Sequence, residues 1–216
     1  MRRMLLLSVS LVVLLAGPLP IAQAGEGHVV FDNAKALQKK WVGWALGSDT
    51  APFLDPTFCG EPIANKVSGS KFFLTSATQP LVEVECEIDF GMPLIGSPGG
   101  GAGWRSSPDM SNAELLAARD ADFSHVCCPR LRLDGELIDV TAGFAKTGIY
   151  TIPVGEDSLI RTVDPTFPDA WTETQVASAA WMFKIVDLSR GEHRLVLRDK
   201  IDGETFFKTI FHITVV

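Results

Sequence analysis

Val82-Glu-Val-Glu-Cys-Glu-Ile-Asp-Phe90 alternates without a break: Val82, Val84, Cys86, Ile88 and Phe90 are apolar, and the residues between them are acidic. Successive side chains of a strand point to opposite faces, so a period of two predicts a β-strand with one face in a core and one in water. The pattern puts Cys86 on the buried side, where a structural disulfide belongs. Glu83, Glu85, Glu87 and Asp89 spread along one face instead of converging on a point, which makes them a solvated surface and not a metal site.

On the amino-terminal side, Lys71 to Thr75 carries the apolar run Phe72-Phe73-Leu74 and predicts another strand. Residues 48–65 hold three prolines and Cys59-Gly60, the signature of an irregular loop. Before them, Leu37, Trp41, Trp44 and Ala45 recur at helical spacing, with Asp32 and Asn33 as possible caps and Gly47 as a stop, predicting one amphipathic helix with its tryptophans inward. On the carboxy-terminal side, residues 91–108 contain six glycines and three prolines and read as a mobile loop. That run lacks the Gly-Lys-Ser/Thr end of a P-loop and the strand-Gly-x-Gly-x-x-Gly-helix order of a dinucleotide site, so nucleotide binding is not expected. Ser111 and Glu114 form a capping box ahead of a short helix to about Ala121.

The rest reads as β: a Leu131 to Val140 hairpin turning at Asp134-Gly135, an edge strand at Ile149 to Pro153, a strand at Ala180 to Val186, and a hairpin from His193 through Asp202-Gly203 to Val215. Together these predict an α+β, mainly β chain. Its carboxy-terminal part is expected to be an immunoglobulin-like β-sandwich, and its amino-terminal part to add a helix and disulfide-tied strands.

Arg2 and Arg3, the apolar run Met4 to Ala16 and the small-residue end Ala22-Gln23-Ala24 have the form of a secretory signal peptide, with an apolar core too short to span a bilayer. The expected organisation is therefore a leader over 1–24, an α+β region over 25–128 and a sandwich over 129–216, in a secreted or periplasmic protein with no transmembrane segment after the leader is removed. Without the leader, 17 Lys and Arg stand against 26 Asp and Glu, a net charge of −9. Such a surface repels phosphate backbones and no Lys/Arg cluster is expected to offset it, so nucleic acid is not an expected partner. Export to an oxidising compartment predicts that Cys59, Cys86, Cys127 and Cys128 pair. Three pairings are possible and the sequence does not choose among them. Cys59 with Cys86 is favoured because both flank one predicted strand region and close a short loop. Cys127 and Cys128 are then left to close a strained ring or to bond crossed partners.

Several short motifs resemble a family of secreted, mostly bacterial proteins with no established activity. In the amino-terminal half these are Trp41-x-x-Trp44, Asp55 to Gly60 with its Cys, Lys71-Phe-Phe-Leu74, and Cys86 ahead of a Gly-Pro segment. In the carboxy-terminal half they are the Leu133-Asp-Gly135 hairpin and the Leu188-x-x-Gly-Glu-His-x-Leu195 turn, leading to a strand that ends in Ile-Thr-Val. In that family the segment after the second Cys reads Pro-x-Gly followed by an apolar strand, whereas here Phe90-Gly-Met-Pro93 runs into glycines. The resemblance implies no catalytic residues.

The sequence has no Gly-x-Ser-x-Gly elbow and no His-Glu-x-x-His pair, and His28, His125, His193 and His212 are far apart. His193 is expected to be structural, and His212 exposed. His125-Val-Cys127-Cys128 holds soft ligands for a metal such as copper, but exported thiols oxidise and further ligands are not nearby, so no metal or cofactor is expected. Trp104 and Trp171 are each expected in a Gly- or Pro-bearing loop and are the candidate ligand-binding residues, since an indole face stacks on a sugar; against this stands the plainer reading that each loop tucks its Trp against the sandwich. The leading expectation is a non-catalytic binding or surface-interaction protein for an extracellular carbohydrate or protein. The alternative is a hydrolase of glycosidase type with paired carboxylates.

Overall fold

A computed structural model describes residues 27–48, 55–63, 70–75, 80–203 and 205–216. The predicted leader lies outside the described residues. In chain order the elements are β1 (His28–Val30), α1 (Ala34–Gly47), β2 (Gly60–Ile63), β3 (Lys71–Leu74), β4 (Leu81–Ile88), β5 (Leu94–Trp104) and α2 (Asn112–Ser124). They continue with β6 (Val126–Leu133), β7 (Glu136–Ile138), β8 (Phe144–Lys146), β9 (Tyr150–Pro153), α3 (Leu159–Val163), β10 (Glu173–Val186), β11 (Gly191–Ile201) and β12 (Thr205–Val215).

The strands make two mixed sheets. The seven-stranded sheet runs β1-β10-β5-β3-β2, with β8 and β9 also paired to β10, and the five-stranded sheet runs β4-β12-β11-β6-β7. Among the described residues, only β3 with β5 and β4 with β12 pair in parallel. Both sheets draw strands from either side of Cys128, and the boundary expected between residues 128 and 129 falls inside β6.

Alternation built these layers as predicted for β4, whose burial alternates residue by residue from Leu81 to Ile88. Its inward Val82, Val84, Cys86 and Ile88 join Leu131, Leu195, Leu197, Phe211 and Ile213 against Phe72, Leu74, Leu94, Phe183 and Ile185 of the larger sheet. Each fully buried Leu, Ile or Phe among them stabilises the packing by roughly 1.5–3 kcal/mol. A second core lies on the other face of the seven-stranded sheet, where α1 lays Leu37, Trp41, Val42, Trp44 and Ala45 over Phe73, Ile95, Val176, Ala180 and Met182. Asn33 takes a left-handed conformation before this helix and its side chain makes no cap; its carbonyl accepts from Ala36 and Leu37. The Cys59–Cys86 disulfide, with Cα atoms 5.7 Å apart, ties the start of β2 to β4 and so links the two sheets. Both Asp-Gly hairpins form, with positive φ at Asp134, Gly135, Asp202 and Gly203, and the Ser111–Glu114 capping box opens α2.

The glycine-rich stretch departs from its prediction. Most of the glycine-rich stretch expected as a mobile loop over 91–108 is the 11-residue strand β5 at the centre of the larger sheet. Its glycines serve close packing. A β-carbon on Gly103 would stand 2.8 Å from the Arg119 backbone nitrogen, and one on Gly101 would stand 2.9 Å from that of Phe123, so α2 rests directly on the strand backbone. Glycine is unfavourable in a strand in general, but it is the residue that permits this approach.

Candidate functional site

β3 pairs with β5 only at Leu94 and Ile95. Beyond Gly96, the edge of β5 that faces away from β10 therefore has no strand partner among the described residues. Where β3 ends, Trp41 Nε1 donates to the Leu74 carbonyl at 2.9 Å, and past that point the edge opens into a cleft of about 400 Å³. Its floor is Gly99, Gly100, Gly101 and Ala102. Trp41, Val42 and Ala45 of α1 wall one side with Trp104, and Asp122 of α2 and Asp199 of β11 wall the other.

Two carboxylates thus reach one strand from different elements. Asp122 Oδ2 accepts from the outward-pointing Ala102 N–H at 2.8 Å, satisfying an edge donor that would otherwise be unpaired. A β-carbon on Gly101 would stand 2.5 Å from this oxygen, and one on Gly99 would stand 2.9 Å from Asp199 Oδ2. Residues two apart share a face and lie about 6.6 Å apart along a strand, so the two carboxyls stand on the order of 7 Å from each other. Burial pushes the Asp199 carboxyl up to about 7, against hydrogen bonding from its own backbone. Asp122 is also raised by burial, but the Ala102 N–H and the nearby His125 hold it back. The pair is thereby differentiated, with Asp199 holding its proton near neutrality more readily than Asp122.

The aim of Asp199 depends on a β-bulge. Arg198 faces Arg130 and Lys200 faces Cys127, so Cys128 and Pro129 together oppose Asp199. Cys128 adopts φ 61° there, and a bulge of this kind re-aims the neighbouring side chains. Asp199 accordingly continues the inward row of Leu195 and Leu197 and is 9 % exposed. Against the expectation that all four cysteines pair, Cys127 and Cys128 are free thiols with sulfurs 2.7 Å apart, and the hydrogen bond from Cys128 raises the Cys127 pKa.

The remaining predicted residues are placed as follows. Trp104 is half-buried in β5, not in a loop; it donates from Nε1 to Asp164 at 3.1 Å and lines the cleft. Trp171 packs edge-on against Phe167 with ring centres 5.7 Å apart, its carbonyl accepts from Arg161, and it is not among the cleft-lining residues. Both rings lie against the core beneath α1. His193 is buried between Asp134, at 2.7 Å from Nδ1, and the Ser189 carbonyl, at 2.9 Å from Nε2. His212 is half-buried, 3.5 Å from Glu83. His125 pairs with exposed Asp202, which raises its pKa. No group of three or more His, Cys, Asp or Glu that would hold a metal ion occurs among the described residues.

Asp122, Asp199 and Trp41 were not singled out from the sequence as site residues. For Asp199 a signal existed: it occupies the apolar register of Leu195-x-Leu197-x-Asp199-x-Ile201. Asp122 carries none, because its role arises where α2 meets the edge of β5. A second cleft, of about 630 Å³, is lined by Lys39, Lys40 and Lys71 with Trp44, Phe73 and Tyr150, and no acid among the described residues lines it.

No helix among the described residues is long and apolar enough to cross a membrane. No protein-family model matches the chain, and no curated protein matches it.

Proposed function

We propose that this is an exported, non-catalytic glycan-binding protein whose ligand lies in the cleft at the open edge of β5. The observation that carries the reading is the combination of a glycine floor, the half-buried indole of Trp104, and two carboxyls over one strand face. Sugars are bound through stacking of an apolar ring face on indole and through hydroxyl hydrogen bonds to fixed acceptors, and the cleft offers both. The Trp41 and Trp104 N–H groups are already committed to Leu74 and Asp164, which fixes the ring orientations. Export rests on the leader pattern of residues 1–24 and is supported by the Cys59–Cys86 bridge.

A second reading, hydrolysis of a glycosidic bond, is favoured by one feature. Asp199, raised to about 7, and the less perturbed Asp122 form the kind of differentiated carboxyl pair that acid and base roles require.

Titration of intrinsic tryptophan fluorescence with a panel of neutral hexasaccharides (cello-, xylo- and chito-oligomers) tests both. Binding gives a saturable change with at least one oligomer, weakened tenfold or more by Trp104→Ala, with no new reducing ends over a day. Release of reducing ends that Asp199→Asn abolishes selects the hydrolase instead. A flat titration with every oligomer overturns the glycan reading.

A further inference from the structure

The solvent face of the five-stranded sheet gathers cations that the sequence scatters over 79 positions, from Arg130 to Lys208. In the ladder, Arg198 of β11 stands directly opposite Arg130 of β6 on one side and Lys208 of β12 on the other. Two residues along, Val196 faces Arg132, and Arg194 follows beyond it on the same face. Arg130, Arg132, Arg194, Arg198 and Lys208 surround a shallow depression of about 240 Å³ with Val196 at its base.

This arrangement is costly for the sheet. Like charges directly opposite on neighbouring strands destabilise the pair, and Arg198 makes two such pairs. Acids on this face lie at its margins: Glu83, Glu85 and Glu87 are on β4, with β12 between them and β11, and Glu192 stands at the start of β11, two residues before Arg194. Among the described residues, Arg130, Arg132, Arg194 and Lys208 form no ion pair with a carboxylate. Packing does not explain the cluster, because Arg130, Arg132 and Arg194 are exposed.

We propose that this face binds a linear acidic polysaccharide, a polymer carrying about one carboxylate or sulfate per sugar. Neighbouring strands are about 4.8 Å apart, so Arg130, Arg198 and Lys208 form a row of three positive charges across roughly 10 Å, with Arg132 and Arg194 flanking it. A narrow chain laid across the strands meets one cation per strand. Arginine forks are suited to bidentate contact with carboxylate or sulfate. Nucleic acid fits less well. The Glu83 to Glu87 stripe beside the cations repels a wide polyanion.

The test uses the full chain and fluorescently labelled oligogalacturonate of eight to ten sugars, followed by anisotropy from 20 to 200 mM NaCl. Binding is expected at 20 mM, weakening more than tenfold by 200 mM. Arg130→Gln/Arg194→Gln is expected to weaken it at least tenfold at 20 mM, whereas Lys35→Gln/Lys40→Gln, which removes as much charge from the exposed side of α1, leaves it within twofold. Lys208→Gln alone, with a loss of about threefold, serves if the arginine double variant melts early. Absence of binding at 20 mM overturns the proposal, as does binding indifferent to these substitutions. Single-stranded DNA of equal charge that binds as tightly as the oligogalacturonate overturns it also. Failure of the neutral-sugar titration leaves this surface unaffected, because the two experiments read different residues.

Discussion

The β5 cleft and the outer face of the five-stranded sheet both concentrate charge, and they do so with opposite consequences. In the cleft, Asp199 and Asp122 come from different elements and stand over a glycine strand; burial pushes the Asp199 carboxyl up to about 7, and partial desolvation raises that of the more exposed Asp122. On the sheet face, Arg130, Arg132 and Arg194 are exposed, so they act through their combined field. Burial changes what a charged group is, while exposure preserves the charge and makes its neighbours matter. One region is therefore suited to orienting hydroxyls or moving a proton, and the other to collecting an anion.

The largest expected effect tests the burial half of this contrast. Native Asp199 ionises near pH 7, against an ordinary value of 3.8 in the unfolded chain. Its contribution to stability is complete below about pH 4 and is lost as pH rises through 7, because the unfolded state releases the proton first. The loss is on the order of 4 kcal/mol. Urea unfolding at pH 4, 5.5, 7 and 8 should show that decline in the wild type, and Asp199→Asn should remove most of it and be the more stable protein at pH 8. A wild-type curve that is level from pH 4 to 8 means that Asp199 is solvated and that the cleft is not dry.

A smaller effect tests how the carboxylates are held. Gly101→Val sets new atoms against the Phe123 backbone, which has no flexible end to yield. Overpacking of this kind costs about 1–3 kcal/mol, and the substitution should also displace Asp122 from the Ala102 N–H. Arg132→Ala on the sheet face, an exposed site, should stay within about 0.5 kcal/mol of the wild type. Equal melting temperatures for the two variants would sink the claim that α2 rests on the strand backbone.

The smallest effect addresses the exposed half. Lys208→Glu turns a like-charged pair with Arg198 into an opposite-charged one and should raise stability by roughly 0.2–1 kcal/mol at low salt. The gain should vanish in 1 M NaCl, where charges are screened beyond about 3 Å. A gain that persists at high salt would show that packing, and not electrostatics, sets the energy of this row.

What the sequence determined by itself is local and periodic. The alternation of Val82 to Ile88, the helical spacing of Leu37, Trp41 and Trp44, the Ser111–Glu114 box and the two Asp-Gly turns each depend on a few neighbouring residues, and each is realised. The Cys59–Cys86 bridge was the favoured one of three pairings. The strand through Gly99 to Gly103 was hidden, because its glycines answer to the helix lying on them and not to strand propensity. Only the tertiary structure decided that the two sheets share strands from both halves, that α2 and β11 bring Asp122 and Asp199 to one edge, and that register aligns Arg130, Arg198 and Lys208. The physical reason is common to all three. Periodicity tells which face of an element is buried, but which element covers it, and in what register, is set by packing between segments that the chain keeps far apart.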